Sequence, residues 1–436
     1  MTRAMGQAEH PAGPSMSLAA RAAFTALPLA GFIALLSLLD NHPLVLAGSI
    51  DWVPALGVSL AWRIDGLSLL FLLLITGIGT AVFVYAGGYL RGHPQQQRLY
   101  VLLTLFMLAM VGCVIADNMI VLFLFWELTS LTSFLLVGFN HTDVAARRSA
   151  QQAFLVTGGG GLAMLAGVIL LGQAAGSYSL SEFIQRAPGL AMSPQMATGI
   201  GLVMVGCFAK SAQFPFHFWL PNAMSAPTPV SAYLHSATMV KLGVYLLARL
   251  DPAFGHAWWW QAVLATIGSV TAAWAMVLAL RERDLKRILA WSTVAALGTL
   301  VMLIGLRGDG ATVAVGAFIL AHALYKAPLF FVAGNVDHGT GTRVIDRLGN
   351  LRGAMPFTAI AALLAGLSMA GLPTSFGYVA KDVIAVAKGE LEGLAWISYA
   401  NLFVSGVAVA VAGVAAVRVF WRHPGQSETC DAHEGG

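Results

Sequence analysis

The chain has 436 residues and a net charge of +4; 58% of the residues are hydrophobic, 10% are charged, and the mean hydropathy is +0.77. Soluble domains carry about 25% charged residues, so this composition excludes a soluble protein and predicts a polytopic membrane protein. The three cysteines lie far apart without metal-ligand spacing, which leaves iron–sulfur, haem and zinc chemistry unsupported and predicts no cofactor and no metal.

Apolar windows long enough to cross a membrane, about 20 residues each, recur along the whole chain. They lie near residues 22–39, 66–86, 99–116, 118–138, 150–172, 197–214, 228–250, 258–280, 288–305, 311–335, 355–387 and 395–420. The sequence therefore predicts an all-α fold with about twelve transmembrane helices. The eleventh window is too long for one straight span.

The positive charges are unevenly distributed among the connecting segments. If the N-terminus is cytoplasmic, fifteen arginines and lysines fall in inner segments and five in outer segments. Such a bias orients a membrane protein and requires no nucleic-acid partner. It predicts a bacterial-type plasma membrane location, with the N-terminus and the C-terminus both in the cytoplasm.

The segment after the first window brings two tryptophans and three charged residues together. These are Asp51, Trp52, Trp62, Arg63 and Asp65. Tryptophan and charged side chains are enriched where a membrane meets water. We therefore predict an interfacial anchor at residues 51–65.

Glu127 is the only acidic residue in the middle of an apolar window. A carboxylate at that depth must be protonated or partnered. Two interpretations are open: a structural residue satisfied by Thr129, Ser130 or a neighbouring helix, or a functional partner of Lys210. In the next window, the glycine run 158–161 lacks the GK[ST] ending of a phosphate loop, and we predict that it lets helices pack closely.

Residues 207–250 place two lysines and two histidines in apolar sequence with four intervening prolines. The titratable residues are Lys210, His217, His235 and Lys241. Charged groups at membrane depth cost about 2.5–3.5 kcal/mol and persist mainly where they face protein or trapped water. Because proline breaks helices, we predict a discontinuous helix that carries Lys210 near Pro215, followed by a spanning helix with His235 and Lys241.

Two further windows carry titratable groups. His322 and Lys326 lie four residues apart, so a helix places them on one face. A lone buried histidine is more often a packing residue, but a titratable pair one turn apart favours a proton relay. The eleventh window is interrupted around Pro373 and carries Lys381 and Asp382 in its second half. Lys381 either belongs to the charge path or extends to the interface.

The stretch AKSAQFPFHFWLPNAMSAPTPVSAYLHSATMVK resembles the central signature of proton-translocating antiporter-like subunits, shared by Mrp-type cation/proton antiporters and complex I. WRIDGLSLLFLLLITGIGT and VDHGTGTR extend the resemblance, which is closest to the A subunits of Mrp antiporters. The resemblance implies that Glu127, in FWELTS, acts with Lys210, and that Lys286, in RDLKRILAWST, lies near the inner end of a proton path. It also implies a relay at His322 and Lys326 and an outlet at Lys381 with Asp382.

The spacing of these features predicts an internal repeat. Windows three to seven and eight to twelve form two sets of five, and an odd number inverts the second set. The fourth member of each set is interrupted near a proline and bears a lysine, which is typical of inverted transporter repeats. The predicted division is a cytoplasmic tail at 1–21, N-terminal helices at 22–98, repeats at 99–250 and 251–421, and a polar tail at 422–436.

The leading hypothesis is a proton-translocating module of a multisubunit Na⁺ or K⁺/proton antiporter, a secondary transporter subunit rather than an enzyme. It predicts other membrane subunits as partners, protons and Na⁺ or K⁺ as transported ions, and the lipid bilayer as surroundings. Two alternatives are a proton-pumping subunit of a complex I-like quinone oxidoreductase or inorganic-carbon uptake complex, and a truncated structural subunit.

Overall fold

The architecture comes from a computed structural model that describes residues 16–40, 44–306, 308–389 and 395–422. Eight helices in these ranges are long and apolar enough to cross a membrane. The prediction of a polytopic helical membrane protein is therefore confirmed. The count of twelve crossings stays a prediction, because the four remaining windows fold as shorter or broken helices.

The helices follow the predicted windows closely. The helices as far as the centre of the chain are α1 (Leu18–Leu36), α2 (Gly66–Tyr89), α3 (Gln96–Ile115), α4 (Met119–Val137), α5 (Val144–Ala175), α6 (Leu180–Arg186), α7 (Pro194–Lys210), α8 (Trp219–Asn222), α9 (Thr228–Ser236) and α10 (Leu242–Phe254). The helices beyond it are α11 (Trp258–Arg281), α12 (Leu285–Ile304), α13 (Asp309–Thr340), α14 (Pro356–Ala370), α15 (Phe376–Gly389) and α16 (Ala395–Gly413).

Short polar side chains determine where several of these helices begin. Asp65 caps α2, Asn118 caps α4 and Asp284 caps α12, each by accepting a backbone N–H bond from the first turn. The first N–H groups of a helix have no partner within the helix, and a cap of this kind contributes about 1 kcal/mol. The capping residues thus fix the ends of the helices that carry the half-buried Glu127 and the buried Lys286.

A β-hairpin departs from the all-α prediction. Strand β1 (Leu46–Val53) pairs antiparallel with β2 (Val58–Ile64). The connection reaches Gly57 at φ 66°, a left-handed conformation that glycine adopts readily. The segment had been predicted only as an interfacial anchor, and its Trp52 and Trp62 are 53% and 39% exposed. Pairing of the two strands satisfies the backbone polar groups between them, and the outward-facing carbonyl of Ala61 accepts from the N–H of Asp117 at 2.9 Å.

The predicted continuous span at 228–250 is wrong. It divides into α9 and α10, with Ala237 and Thr238 outside helical geometry between them. The Thr238 hydroxyl donates to the carbonyl of Tyr233 at 2.7 Å, which replaces part of the interrupted helical bonding. Neither glycine nor proline marks this break in the sequence.

Helix α12 lies at the centre of the fold, and 94% of its apolar window is buried. It packs against α11, α13 and α16, and its contact with α11 is close because Gly268 and Gly298 face each other. A Cβ on either glycine would meet the backbone of the opposite helix. Small residues permit such close approach where no hydrophobic effect drives helices together. The central position of α12 brings its polar side chains near the buried lysines.

Candidate functional site

Five of the six lysines share one arrangement: each donates a hydrogen bond to a backbone carbonyl of another segment. The pairs are Lys210 with Trp126 at 3.0 Å, Lys241 with Ile319 at 2.9 Å, Lys286 with Ala226 at 2.8 Å, Lys326 with Leu289 at 3.4 Å and Lys381 with Ala370 at 2.8 Å. The first four lysines are buried. A carbonyl accepts from an ammonium and, more weakly, from a neutral amine, so this arrangement is compatible with both protonation states.

The first lysine centre lies where α7 ends on α4. Lys210, the last residue of α7, donates to the Trp126 carbonyl and to the Ser130 hydroxyl at 2.7 Å. Its Nζ also lies 5.2 Å from the centre of the Trp126 ring, within the range of a cation–π contact. The Trp126 carbonyl accepts from the Thr129 and Ser130 hydroxyls as well. We call Trp126, Thr129 and Ser130 the Lys210 cradle.

Glu127 adjoins this cradle without a direct bond to the lysine. Within the described part of the chain, Lys210 donates to Trp126 and Ser130 and not to Glu127, although the two charges lie within electrostatic range. The interpretation that Thr129 or Ser130 satisfies the carboxylate is wrong, because both hydroxyls donate to Trp126. The functional pairing of Glu127 with Lys210 stays a prediction.

The glycine run of α5 makes room for the Glu127 carboxylate. A Cβ on Gly161 would collide with its Oε1 atom, and a Cβ on Gly160 would collide with Ala209 of α7. The predicted packing role of the run is confirmed. Among the described residues, no group donates a hydrogen bond to Glu127 Oε1, which is buried.

Hydrogen bonds between chain neighbours of the two lysines hold the first centre beside Lys241. Ser211, which follows Lys210, donates to the carbonyl of Val240 at 2.7 Å and accepts from the N–H of Val244 at 3.1 Å. The break between α9 and α10 places Lys241 at the start of α10, where it reaches Ile319 on α13. Lys241 therefore joins the part of the fold that holds Lys210 to the part that holds Lys326.

The second lysine centre lies between α13 and α12. His322 follows Ile319 by one turn and precedes Lys326 by one turn, within electrostatic range of Lys241 and Lys326. Lys326 donates to the Ser292 hydroxyl at 2.5 Å as well as to Leu289. Neither ring nitrogen of the buried His322 has a hydrogen-bond partner in the described residues. The helix face predicted for His322 and Lys326 thus also includes the backbone carbonyl of Ile319, which accepts from Lys241.

A cavity of about 420 Å³ connects this centre with Lys381. Ser292, which accepts from Lys326, lines it, and so do Thr299, Tyr325 and Lys381. Lys381 is half-buried in α15 and donates back to Ala370, the last residue of α14. Pro373 lies in the gap between these two helices. The lysine therefore lies against the end of α14 and lines the cavity, and its role in the charge path stays a prediction.

His235 and Lys286 lie on a second branch. Both are buried, and they lie within electrostatic range of each other. Both ring nitrogens of His235 are without a hydrogen-bond partner in the described ranges. Lys286 reaches the carbonyl of Ala226, just before α9. The structure thus places His235 nearer to Lys286 than the sequence alone suggested.

Sequence reasoning missed two residues beside Lys286. Arg343 forms ion pairs with Asp284 at 3.0 Å and with Asp337 at 3.9 Å. All three charges lie within electrostatic range of Lys286. Asp337 and Arg343 both belong to VDHGTGTR, so the signal was present, but that segment had been used only for its family resemblance.

A larger cavity, of about 990 Å³, opens at the opposite end of the helices. Asp65 and Arg249 line it and form an ion pair, and Arg249 also donates to Ser68 and Tyr245. Burial would raise the pKa of Asp65, but the hydrogen bonds and charge of Arg249 outweigh it and hold that pKa below the usual value of an aspartate. Asp65 therefore stays ionised near neutral pH and ties α2 to α10.

Two other predicted residues, His217 and Asp382, make no hydrogen bond with these lysines in the part of the chain that the structure describes. His217 is half-buried among the rings of Phe214, Phe218 and Trp291. Asp382 is exposed. Pro215 lies five residues beyond the end of α7, within an irregular segment. In the described ranges, no group of three or more His, Cys, Asp or Glu residues is placed to hold a metal ion.

Comparisons with known proteins agree with this architecture. The chain is 42% identical over 395 residues to a Na(+)/H(+) antiporter subunit A1 of Staphylococcus aureus (strain JH9), an alignment that covers 86% of this chain and 48% of that protein. It superimposes on a chain of the Mrp complex from Dietzia sp. DQ12-45-1b with a TM-score of 0.84 and 37% identity, over 93% of this chain and 46% of that one. The chain thus spans about half the length of these relatives.

A third similarity concerns the fold alone. A chain of the membrane-bound sulfane sulfur reductase, an archaeal respiratory membrane complex, matches with a TM-score of 0.83 at 21% identity, over 97% of this chain and 86% of that one.

Residues 52–100 match the family described as NADH-ubiquinone oxidoreductase (complex I), chain 5 N-terminus. Residues 116–409, which contain the whole lysine series, match the transmembrane family described as NADH:quinone oxidoreductase/Mrp antiporter. The chain belongs to this NADH:quinone oxidoreductase/Mrp antiporter family.

Proposed function

We propose that the chain is the proton-conducting module of a multisubunit Na⁺ or K⁺/proton antiporter. The relatives named as an antiporter subunit and as part of an Mrp complex support this proposal. Because the chain spans about half their length, its transport activity, its cation and its partner subunits all belong to the proposal. It would act as a secondary transporter subunit and not as an enzyme.

The observation that carries the proposal is the connected lysine series. Ser211 and Val240 connect Lys210 to Lys241, which bonds to α13 one turn from His322. From there, Lys326 and Ser292 lead to the cavity that Lys381 lines. Each step joins neighbouring polar groups in an apolar interior, where isolated charges would be unfavourable. With water bridging the intervals between these groups, such a series could pass a proton without moving a lysine through the membrane.

Internal water would complete the steps that side chains do not bridge. His235 and His322 are fully buried, and in the described residues their ring nitrogens have no partners. Buried polar atoms nearly always form hydrogen bonds, and ordered water commonly supplies those that protein groups do not. We infer that water molecules beside these rings take part in the proton path.

Glu127 would control the loading of Lys210. At a separation of about 8 Å and an effective dielectric constant of about 20, a carboxylate attracts an ammonium by about 2 kcal/mol. That energy corresponds to a change of about thirtyfold in proton occupancy. A movement that changes the distance between Glu127 and Lys210 would therefore load or release the proton. In the structure the Glu127 carboxylate occupies the space that the missing side chain of Gly161 leaves, and this would be one end of the movement.

The distribution of arginines suggests which end of the helices faces the cytoplasm. Arginines dominate the segments at one end, and this end would lie on the cytoplasmic side of a bacterial-type inner (plasma) membrane. The ion pairs around Lys286 would then form the inner mouth, and the cavity at Asp65 and Arg249 would face outward. A transmembrane potential would contribute about 2.3 kcal/mol per charge per 100 mV to movement between them.

Ion flux in membrane vesicles tests the proposal. The chain would be produced with the other subunits of its antiporter in cells that lack their own antiporters, and Na⁺- or K⁺-dependent proton flux would be followed with a pH-sensitive dye. We expect Glu127→Ala and Lys210→Ala to reduce flux to background, while Arg148→Gln, at an exposed position, keeps it. Unchanged flux in the first two variants, at equal protein levels, would overturn the proposal.

A redox-driven complex is the second candidate, and the family description that includes NADH:quinone oxidoreductase favours it. The same proton path would then be driven by quinone reduction elsewhere in the complex. Purification with intact partners distinguishes the two candidates. Co-purifying quinone reductase activity would favour the redox complex, and cation-dependent flux without it would favour the antiporter.

A further inference from the structure

A cavity of about 650 Å³ lies between α1, α2, α3 and α13, at the end of the helices opposite to Asp65. We propose that it binds the phosphate headgroup of an anionic glycerophospholipid from the cytoplasmic leaflet. The proposal requires the arginine-rich end to face the cytoplasm, but it does not depend on which ion is transported. The volume lies within the range of about 300–1,000 Å³ that is usual for small-molecule sites.

The charges of the cavity favour an anion. Arg21, Arg91 and His338 line it, and the described lining residues include no aspartate or glutamate. The outer cavity differs, because aspartates at positions 65, 117 and 251 line it beside Arg249. Basic pockets between transmembrane helices on the cytoplasmic side are typical sites for phospholipid headgroups.

Arg21 has donors to offer. Among the described residues, its one side-chain hydrogen bond runs from Nη1 to the carbonyl of Gly87, at 3.4 Å. Its Nε is buried without a partner in the same residues. A guanidinium carries five N–H donors in a planar fork that fits phosphate oxygens. The loosely held Nη1, and Nη2, which donates no hydrogen bond within these residues, therefore suit a phosphate that approaches from the cavity.

Hydroxyl and amide groups surround the basic residues. Tyr85, Tyr89, Tyr100 and Asn335 also line the cavity. Tyr85 donates to Asn335, and Tyr100 donates to the carbonyl of Phe83 at 2.8 Å, so these rings are held in place. Positions fixed in this way give a headgroup an ordered polar wall at little entropic cost.

The surroundings favour a lipid over a soluble anion. Helix α1 is a wall of the cavity, and 6% of its apolar window is buried. Leu18 and Val84 line the cavity and are 74% and 63% exposed. A free phosphate would gain nothing from this apolar surface. A phospholipid would place its acyl chains along α1 and α2 while its phosphate meets Arg21 and Arg91.

Lipid binding to the full-length chain, purified in a mild detergent, tests the proposal. Titrations with phosphatidylglycerol and with zwitterionic phosphatidylcholine would be followed by native mass spectrometry and by the unfolding temperature. We expect one tightly held phosphatidylglycerol and an unfolding temperature about 2–4 °C higher. Arg21→Gln and Arg91→Gln should each weaken its binding about fivefold. The matched change Arg148→Gln, at an exposed position, should leave the affinity unaltered.

Three results would overturn the proposal. Equal binding of the two lipids by the wild-type chain, or equal loss of binding in Arg148→Gln and Arg21→Gln, would show that the cavity does not select the headgroup. The same rise in unfolding temperature from inorganic phosphate or glycerol phosphate would show that the acyl chains are not recognised. Near-ultraviolet circular dichroism of each variant separates lost binding from lost folding.

Discussion

The Lys210 and Lys326 centres use the same acceptors on two different helices. Lys210 donates to the Trp126 carbonyl, which also accepts from hydroxyls three and four residues later. Lys326 donates to the Leu289 carbonyl, which likewise accepts from Ser292 and Thr293. In each case a serine hydroxyl is the lysine's second acceptor. A hydroxyl-bearing turn of helix is therefore the common means of holding a buried amine.

The two centres differ in the charged side chain that lies beside the acceptor carbonyl, in the space between the two helices. Glu127 follows Trp126 and lies against Gly161 of α5, whereas Ala290 follows Leu289 and α13 contributes Lys326. Helices α5 and α13 each have 32 residues, and Gly161 and Lys326 are each the eighteenth. In the first half, α4 supplies the acid Glu127 and α5 supplies a glycine beside it. In the second half, α13 supplies the base Lys326 and α12 supplies no acid at the matching position, which is Ala290.

This exchange supports the proposed inverted repeat of residues 99–250 and 251–421. Helices α4 and α12 are the second members of the two sets, and α5 and α13 are the third. The comparison suggests a division of labour: a carboxylate can switch the first centre directly, while the second centre responds to charge on Lys241 and His322. The halves would then differ in control but share a mechanism of proton transfer.

The largest expected effect tests the shared part of the comparison. Lys326→Met and Lys210→Met should each reduce proton flux about 100-fold or more, because each removes a proton-carrying group. Both variants should fold, since the Trp126 and Leu289 carbonyls keep their hydroxyl donors. Vesicle flux normalised to protein level is the measurement. A variant that keeps more than half of the flux would show that its lysine is not in the path.

A smaller effect is expected from filling the cleft of the first half. Gly161→Ala puts a methyl group where the Glu127 carboxylate lies, so the acid must move. We expect flux to fall about tenfold, equivalent to about 1.4 kcal/mol. Gly159→Ala, on the same helix with nothing within 4 Å of the new methyl group, is the control and should keep full flux. Equal activity of the two variants would contradict the assigned position of Glu127.

The same cleft shows what the sequence could and could not reveal. The identities of Glu127, Lys210, Lys326 and Lys381 were evident, because charge in an apolar window is unusual whatever the packing. The roles of Ser130 and Ser292 were not evident, because serine is common in membrane helices and its partner comes from a distant segment. The local sequence shows that a lysine lies in an apolar window, whereas the hydroxyl that accepts from it depends on how the helices pack together.

Backbone features show the same limit. The gap around Pro373 was predictable, because proline restricts its own helix. The break at Ala237 and Thr238 was not, because the local sequence contains no residue that interrupts a helix. The hairpin at 46–64 was missed because its tryptophans also fit an interfacial anchor. These features depend on neighbouring elements that a reading of one window does not include.

The serines that accept from the two lysines, Ser292 and Ser130, should differ in how much their loss reduces proton flux. Ser292→Ala removes an acceptor of Lys326 and a polar group of the cavity that leads to Lys381, so we expect flux to fall about tenfold, within the range for a hydrogen bond to a charged group. Ser130→Ala removes an acceptor of Lys210 and a donor to the Trp126 carbonyl and should reduce flux about threefold. Ser133→Ala, one turn further along α4, serves as a control. The reverse order of effects would place the narrowest step at the first centre.

The smallest expected effect concerns the fifth helix of each half. The first half breaks this helix between α9 and α10, while α16 runs without a break to Gly413. Thr238→Ala removes the hydroxyl bond to Tyr233 and should lower the free energy of unfolding by about 1 kcal/mol. Thr238→Ser, which keeps the hydroxyl, should recover most of that loss in thermal unfolding of the purified chain. If Thr238→Ala were as stable as wild type, the break would be imposed by the surrounding helices, and the position of Lys241 would depend on packing rather than on this bond.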